Sequence, residues 1–360
     1  MSYLKSAILS TLDRRPVEFS RVNNPDPAMP RLEDIAASAE AELSEFVREG
    51  CYVQAKPSDM GDACIWQGVY AAMCVHRWRF KKDEASRVLM VEAATALAKY
   101  VKLGVLYRGA MPTIFQDDLY QKDSTKTYFD DEDGYTYRDD ASLDSLLGFC
   151  FGAATILAYG DAWAKAGILG ACRALANRFG GDGFRLVNRD GTPTRYGNCR
   201  PGFFQAPVRI LAACLPSLLA GTGDWHGIAS KYAAEFSTTD TQIPGRKPSW
   251  VNAHLAMLAN LTFVLAAKPG FAGYHEARSG LHRLLEKYGQ TGNAFLIFGC
   301  LASRVTISFE ERAIGMKVLS EFSLASKALH PVAPDNKEPT PVWQRPRFDY
   351  VFQRSPYEQG

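Results

Sequence analysis

The stretch Gly61-Asp62-Ala63-Cys64-Ile65-Trp66-Gln67-Gly68-Val69-Tyr70-Ala71-Ala72 decides how this chain is read. It opens on a carboxylate and then runs almost wholly small and apolar. A helix with no polar stripe has no face for water, so it is expected to be buried. The same shape returns at Ser142-Leu143-Asp144-Ser145-Leu146-Leu147-Gly148. Less sharp versions are Phe203-Phe204-Gln205-Ala206, Trp250-Val251-Asn252-Ala253-His254 and Thr291-Gly292-Asn293-Ala294-Phe295. Buried helices that are polar only at their starts predict an inner ring whose N-terminal ends line one cavity, where ligands bind.

Working outward, apolar periodicity predicts helices over 31–48, 62–80, 83–101, 142–159, 161–178, 204–219, 224–235, 250–266, 273–288, 292–303 and 309–328. The helices near 62, 142, 204, 250 and 292 are largely apolar. Those near 83, 161, 224 and 273 carry charges such as Arg87, Arg173, Lys231, Arg278 and Lys287. No run of strands stands out. Alternating buried and amphipathic helices predict an all-α fold, an α/α toroid of about eleven to twelve helices in which an outer ring wraps an inner one. A stacked solenoid is the second choice, because no fixed sequence period supports it. The chain reads as a single domain, 1–360. Residues 104–141 form an acidic, Tyr-rich insertion loop, and 331–360 a Pro-rich aromatic tail with Trp343, Phe348, Tyr350, Phe352 and Tyr357. Long loops of this kind are usually functional.

Composition excludes several classes. The hydrophobic fraction of 47% supplies a large core for 360 residues. A net charge of +2 and dispersed basic residues argue against nucleic acid. No stretch approaches the roughly 20 apolar residues of a membrane span. The eight cysteines are scattered with no CxxC pair, which predicts reduced thiols packed as small hydrophobes. Residues 1–20 lack the apolar core of a signal peptide. The expectation is a chain made in the cytosol that works inside a cell, leaves by lysis or travels on a larger particle such as a phage. There is no GxxxxGK[ST], HExxH or GxSxG, and no third ligand joins Cys199 and His254, so neither cofactor nor metal is expected.

Four segments, in order along the chain, resemble uncharacterised bacterial and phage proteins of six-hairpin glycosidase type. The 61–72 stretch is similar to their D-x-x-x-W-x-G-x-Y-x-A signature. Ser142–Gly152 resembles an S-R-D-Q-x-x-G-x-x-x-G helix start. Asp190-Gly191-Thr192-Pro193-Thr194-Arg195-Tyr196-Gly197 resembles a D-G-K-x-T-R-W-G turn, and Phe348–Tyr357 a D-F-x-W-Q-R-x-P-Y tail. Leu143 stands where that pattern has Arg, Ser145 where it has Gln, and Tyr196 and Phe352 where it has Trp. The resemblance implies an α/α toroid acting on carbohydrate, with Asp62 and Asp144 as an aspartate pair.

The residues themselves leave alternatives open. Asp62 opens a helix, so it either caps that helix or points into the cavity as acid or base. Trp66 lies one turn on, where an indole suits a sugar-stacking wall. Asp144 follows Ser142, the better cap, and is less needed for capping. Two carboxylates on separate inner helices are what glycoside hydrolysis requires. Tyr120, Tyr128, Tyr135 and Tyr137 either stack on sugar or pack the insertion down. Arg138 and Asp140 suit contacts to a polar or uronate substrate. Arg195 and Tyr196 form a structural turn, or serve a lyase in which Tyr or His removes a proton beside a neutralised carboxylate. Asn252 and His254 start another buried helix, and His254 is either a satisfied core histidine or a base. Asp131-Glu132-Asp133-Gly134 has part of a calcium loop's composition, but Phe129 occupies the first ligand position. The lead expectation is hydrolysis of a poly- or oligosaccharide. A polysaccharide lyase using Tyr196 or His254 with Arg195 comes second, and a non-catalytic glycan-binding or structural component third.

Overall fold

The computed structural model describes residues 47–52, 60–115, 126–200, 207–236, 250–288 and 294–324, with a few isolated residues between 34 and 41. Among these lie ten α-helices: α1 (Ala63–Lys81), α2 (Glu84–Lys99), α3 (Leu143–Tyr159), α4 (Ala162–Gly181), α5 (Pro207–Ala220), α6 (Trp225–Phe236), α7 (Trp250–Ala266), α8 (Tyr274–Tyr288), α9 (Ala294–Ala302) and α10 (Phe309–Leu324). The chain is mostly helical, as expected, and the described helices are fewer than the eleven to twelve anticipated.

Local chemistry sets the boundaries. Asp83 accepts a hydrogen bond from the Ser86 amide at 2.7 Å and starts α2; Asp161 does the same for Ala164 at 2.8 Å and starts α4. Asp161 also pairs with Arg87 across α2 and α4 at 3.2 Å. Ser142 and Ser145 form a reciprocal capping box at the start of α3. Lys82 ends α1 in the left-handed region at φ 56°, its amide donating to the Trp78 carbonyl.

The alternation read from the sequence is present as two layers. In one, α1 packs on α3, while α3, α5 and α7 pack on one another and α7 reaches α9. In the other, α2 lies on α1, α4 on α3 and α5, α6 on α5, α8 on α7, and α10 on α9, with α2 also touching α4. Helix α3 is buried at every residue from Ser145 to Ile156. Helix α8, by contrast, buries Ala277, Leu281, Leu284 and Leu285 and exposes His275, His282 and Arg283.

Short strands accompany the helices, where no run of strands stood out in the sequence. Nine short strands are present: β1 (Val47–Arg48), β2 (Cys51–Tyr52), β3 (Val101–Lys102), β4 (Val105–Leu106), β5 (Gly109–Pro112), β6 (Tyr128–Asp130), β7 (Tyr135–Arg138), β8 (Arg185–Val187) and β9 (Pro193–Asn198). The described part of 104–141 is therefore not a loop. Strands β5, β7 and β6 form an antiparallel sheet, in that order. Its aromatic and β-branched run, Tyr135-Thr136-Tyr137, favours a pleated surface, and Gly134 at φ 79° turns the β6–β7 hairpin. The turn-rich segment after α4 is likewise a hairpin, β8–β9, with Gly191 at φ 83° in its tip. Residues 47–48, placed at the end of a helix by periodicity, pair instead as β1 with β2. The aromatic tail, Tyr120, and the helix starts at 203–206 and 291–293 lie outside the described residues.

All eight cysteines are free and buried. Burial pushes their thiols up, Cys51 to about 11 and Cys172 to about 12, which leaves them unreactive. No described helix is long and apolar enough to cross a membrane.

Candidate active site

Helices α1 and α3 run parallel and start side by side. The Cys64 thiol donates to the Ser145 carbonyl at 3.3 Å, and the helices cross where Gly68 meets Gly148 and Gly152. The carboxylates at the two starts, Asp62 and Asp144, are thereby brought within electrostatic reach of each other. Their sequence separation gives no hint of this; the glycine contacts do.

Neither carboxylate caps its helix. Asp62 occupies the N-cap position of α1 without a side-chain cap bond. The Arg108 carbonyl takes that role, accepting from the Cys64 amide at 3.2 Å. The Asp62 side chain is left 60% exposed. At α3, Ser142 accepts from the Ser145 amide, so Asp144 is not needed for capping. Burial pushes the Asp144 carboxyl up from its ordinary value; the Asp62 charge adds to the rise, and Arg108 opposes it.

Arg108, which the sequence reading passed over, is the cation of this site. Its side chain is 17% exposed and its guanidinium lies 3.7 Å from Asp62 Oδ1. Nε donates to the Gly61 carbonyl, and Nη1 donates to the Asp140 carbonyl at 3.3 Å. The only signal in the sequence is an arginine between the apolar runs of β4 and β5.

Asp139 and Asp140 tie the β8–β9 hairpin to the same place. Asp139 Oδ1 accepts from the Arg189 amide at 3.2 Å, and burial pushes that carboxyl up. Asp140 sits in the left-handed region at φ 68°. Its amide donates to Asn188 Oδ1 at 3.0 Å, and its Oδ1 accepts from the Arg195 amide at 2.8 Å. Asp140, expected as a substrate contact, thus holds backbone instead.

The hairpin presents Arg195 and Tyr196 to solvent, Tyr196 at 59% exposure with the Arg195 guanidinium 5.8 Å from its ring. Trp66 is half-buried against the core. Tyr137 offers no ring face to a ligand: it is 0% exposed, stacks on Phe129 and donates to Asp133 at 2.7 Å. Arg138 is also buried, within β7. His254 lies in α7, 4% exposed, and burial lowers it to about 3. An imidazole so reluctant to accept a proton is a poor base at neutral pH, which corrects its candidacy. The Asn252 side chain lies outside the described residues.

The acidic turn of the β6–β7 hairpin is neutralised by lysines. Lys102 pairs with Asp131 at 2.6 Å, and Lys99 with Asp133 at 3.3 Å. These carboxylates face protein cations. Among the described residues no group of three or more His, Cys, Asp or Glu is placed to hold a metal.

Comparison with protein-family models finds no match, and comparisons with curated proteins and with solved structures find none either.

Proposed function

We propose that the chain is a carbohydrate-active enzyme that hydrolyses a poly- or oligosaccharide, with Asp62 and Asp144 as its acid/base pair. The observation that carries this reading is the pair itself: two carboxylates at adjacent helix starts, neither used as a cap, with one raised by burial and by the charge of the other. Glycoside hydrolysis needs that asymmetry. Asp144, whose carboxyl burial pushes up, is the acid that gives its proton to the departing glycosidic oxygen. The exposed Asp62 is the carboxylate that draws a proton from attacking water or bonds to the anomeric carbon. Trp66, one turn beyond Asp62, and Tyr196 on the neighbouring hairpin are the aromatic surfaces for a sugar.

The scaffold in this proposal is a closed α/α toroid of the six-hairpin glycosidase type. Two helix layers with the apolar helices inside, and two inner helices running parallel, support it. Exposed Tyr196 beside Arg195 supports a second reading, β-elimination from a uronate-containing glycan. Products separate the readings. Hydrolysis of a polysaccharide panel releases reducing ends without near-ultraviolet absorbance, elimination adds that absorbance, and a non-catalytic glycan binder gives neither while still retaining sugar.

A further inference from the structure

We infer that Arg108 is a positioning residue of this site: its guanidinium clamps the Gly61–Asp62 helix start to the Asp140 strap, and so holds Asp62 beside the start of α3. This deepens the proposed function, and it rests on that reading only for the use to which the pair is put.

The geometry comes from three directions. The planar fork of Arg108 reaches the Gly61 carbonyl through Nε, the Asp140 carbonyl through Nη1 at 3.3 Å, and the Asp62 carboxylate through Nη2 at 3.7 Å. The Arg108 main chain is fixed as firmly. Its amide donates to the Arg138 carbonyl at 2.9 Å, and its carbonyl caps α1 at Cys64. The guanidinium is therefore aimed by the sheet and not by its own flexible stem. A guanidinium presents several donors in a fixed plane; an ammonium on the same stem would satisfy one or two of these acceptors but not the set.

Each acceptor belongs to a different part of the site. Gly61 and Asp62 begin α1. Asp140 joins the sheet to α3, two residues before its cap, and also holds the hairpin with Arg195. Among the described residues, the charges that act on Asp144 are Asp62 from the α1 start and Arg108 from the strand connection, in opposite directions. Without the arginine, nothing would offset the repulsion between the two carboxylates, and the exposed Asp62 would turn further into water. With it, the Asp62 carboxylate is held at the α1 start beside the start of α3.

The test uses the full chain with 13C-labelled aspartate carboxyls, followed by NMR through a pH titration, with Asp62→Asn and Asp144→Asn assigning the two signals. Arg108→Gln should move the Asp144 midpoint upward and weaken its response to Asp62→Asn. Arg108→Lys should restore the Asp144 midpoint most of the way and leave Asp62 with altered chemical shifts, because charge returns but the fork does not. Wild-type midpoints and wild-type Asp62 shifts in both variants, each folded by circular dichroism, would overturn the inference. If Arg108→Gln does not fold, Arg108→Lys decides alone: an Asp62 signal identical to wild type overturns the clamp. No glycan is involved. Silence in a sugar assay with shifted midpoints counts against hydrolysis and not against the clamp, and turnover with unshifted midpoints does the reverse.

Discussion

Gly68 and Gly148 meet where α1 crosses α3: a Cβ on Gly68 would lie 1.8 Å from the Gly148 carbonyl oxygen. That approach sets the distance between the helix starts, and hence between Asp62 and Asp144. Alanine at either glycine must push the helices apart. Gly68→Ala and Gly148→Ala should each lower unfolding stability by about 1–3 kcal/mol despite alanine's better helix propensity. Gly167 and Gly170 in α4 have no atoms within 4 Å of an added Cβ, so alanine there should stabilise by about 0.5–1 kcal/mol. Denaturant midpoints for the four variants check both signs, and equal behaviour of the two pairs would contradict the close crossing.

Asp144 carries a carboxyl raised by burial, so its ionisation at neutral pH works against the fold. A raised acid favours the folded state fully below its ordinary value of 3.8 and loses that advantage as pH climbs through the folded value. Asp144→Asn should therefore unfold at higher temperature than wild type at pH 7, with the gap closing as pH falls toward 3.8. Thermal melts across pH measure it; an asparagine variant less stable at pH 7 than at pH 4, relative to wild type, would go against this. A residue that destabilises where it sits is common at sites kept for chemistry.

His254 titrates in the opposite sense. Its folded value of about 3 lies below the ordinary 6.5, so its stabilising contribution is whole above 6.5 and is lost as pH falls from there toward 3. The loss at stake is on the order of 4 kcal/mol. Replacing His254 with Phe removes that titration, and the acid limb of the stability curve should flatten over this window. Parallel limbs in variant and wild type would place the histidine somewhere wetter.

Asp140 holds a left-handed backbone conformation and a hydrogen bond to the Arg195 amide. Asparagine tolerates that conformation and keeps the accepting oxygen, whereas alanine does neither. Asp140→Asn should be close to neutral in thermal unfolding, and Asp140→Ala should cost about 2–4 kcal/mol from the backbone and the lost bond together. Equal losses in the two variants would contradict the role given to the side chain.

The helices were legible because burial leaves a plain mark: α1 and α3 turn apolar after one polar residue, and α2 and α8 keep a charged stripe. Ser142 and Asp161 announce their caps. The sheet between them was not legible. Its strands are three or four residues long, too short for alternation to show, and the acids of the β6–β7 turn look like solvated loop until Lys99 and Lys102 are placed beside them. At the site, Asp62 and Asp144 stood out by position. Arg108 did not, because its work depends on strand pairing that brings it to α1. Tyr137 and Arg138 misled for a related reason: polar tips suggest a surface, while the β5–β7–β6 sheet buries both.

The most direct test of the central claim is turnover on a panel of bacterial and algal polysaccharides by wild type, Asp62→Asn and Asp144→Asn, reading reducing ends and near-ultraviolet absorbance together. Release of reducing ends without absorbance, reduced at least about 100-fold in both variants, is the predicted result, since each proton transfer is worth that much. Product formation that survives either substitution, or that carries near-ultraviolet absorbance, would contradict the pairing of Asp62 with Asp144 as hydrolytic acid and base.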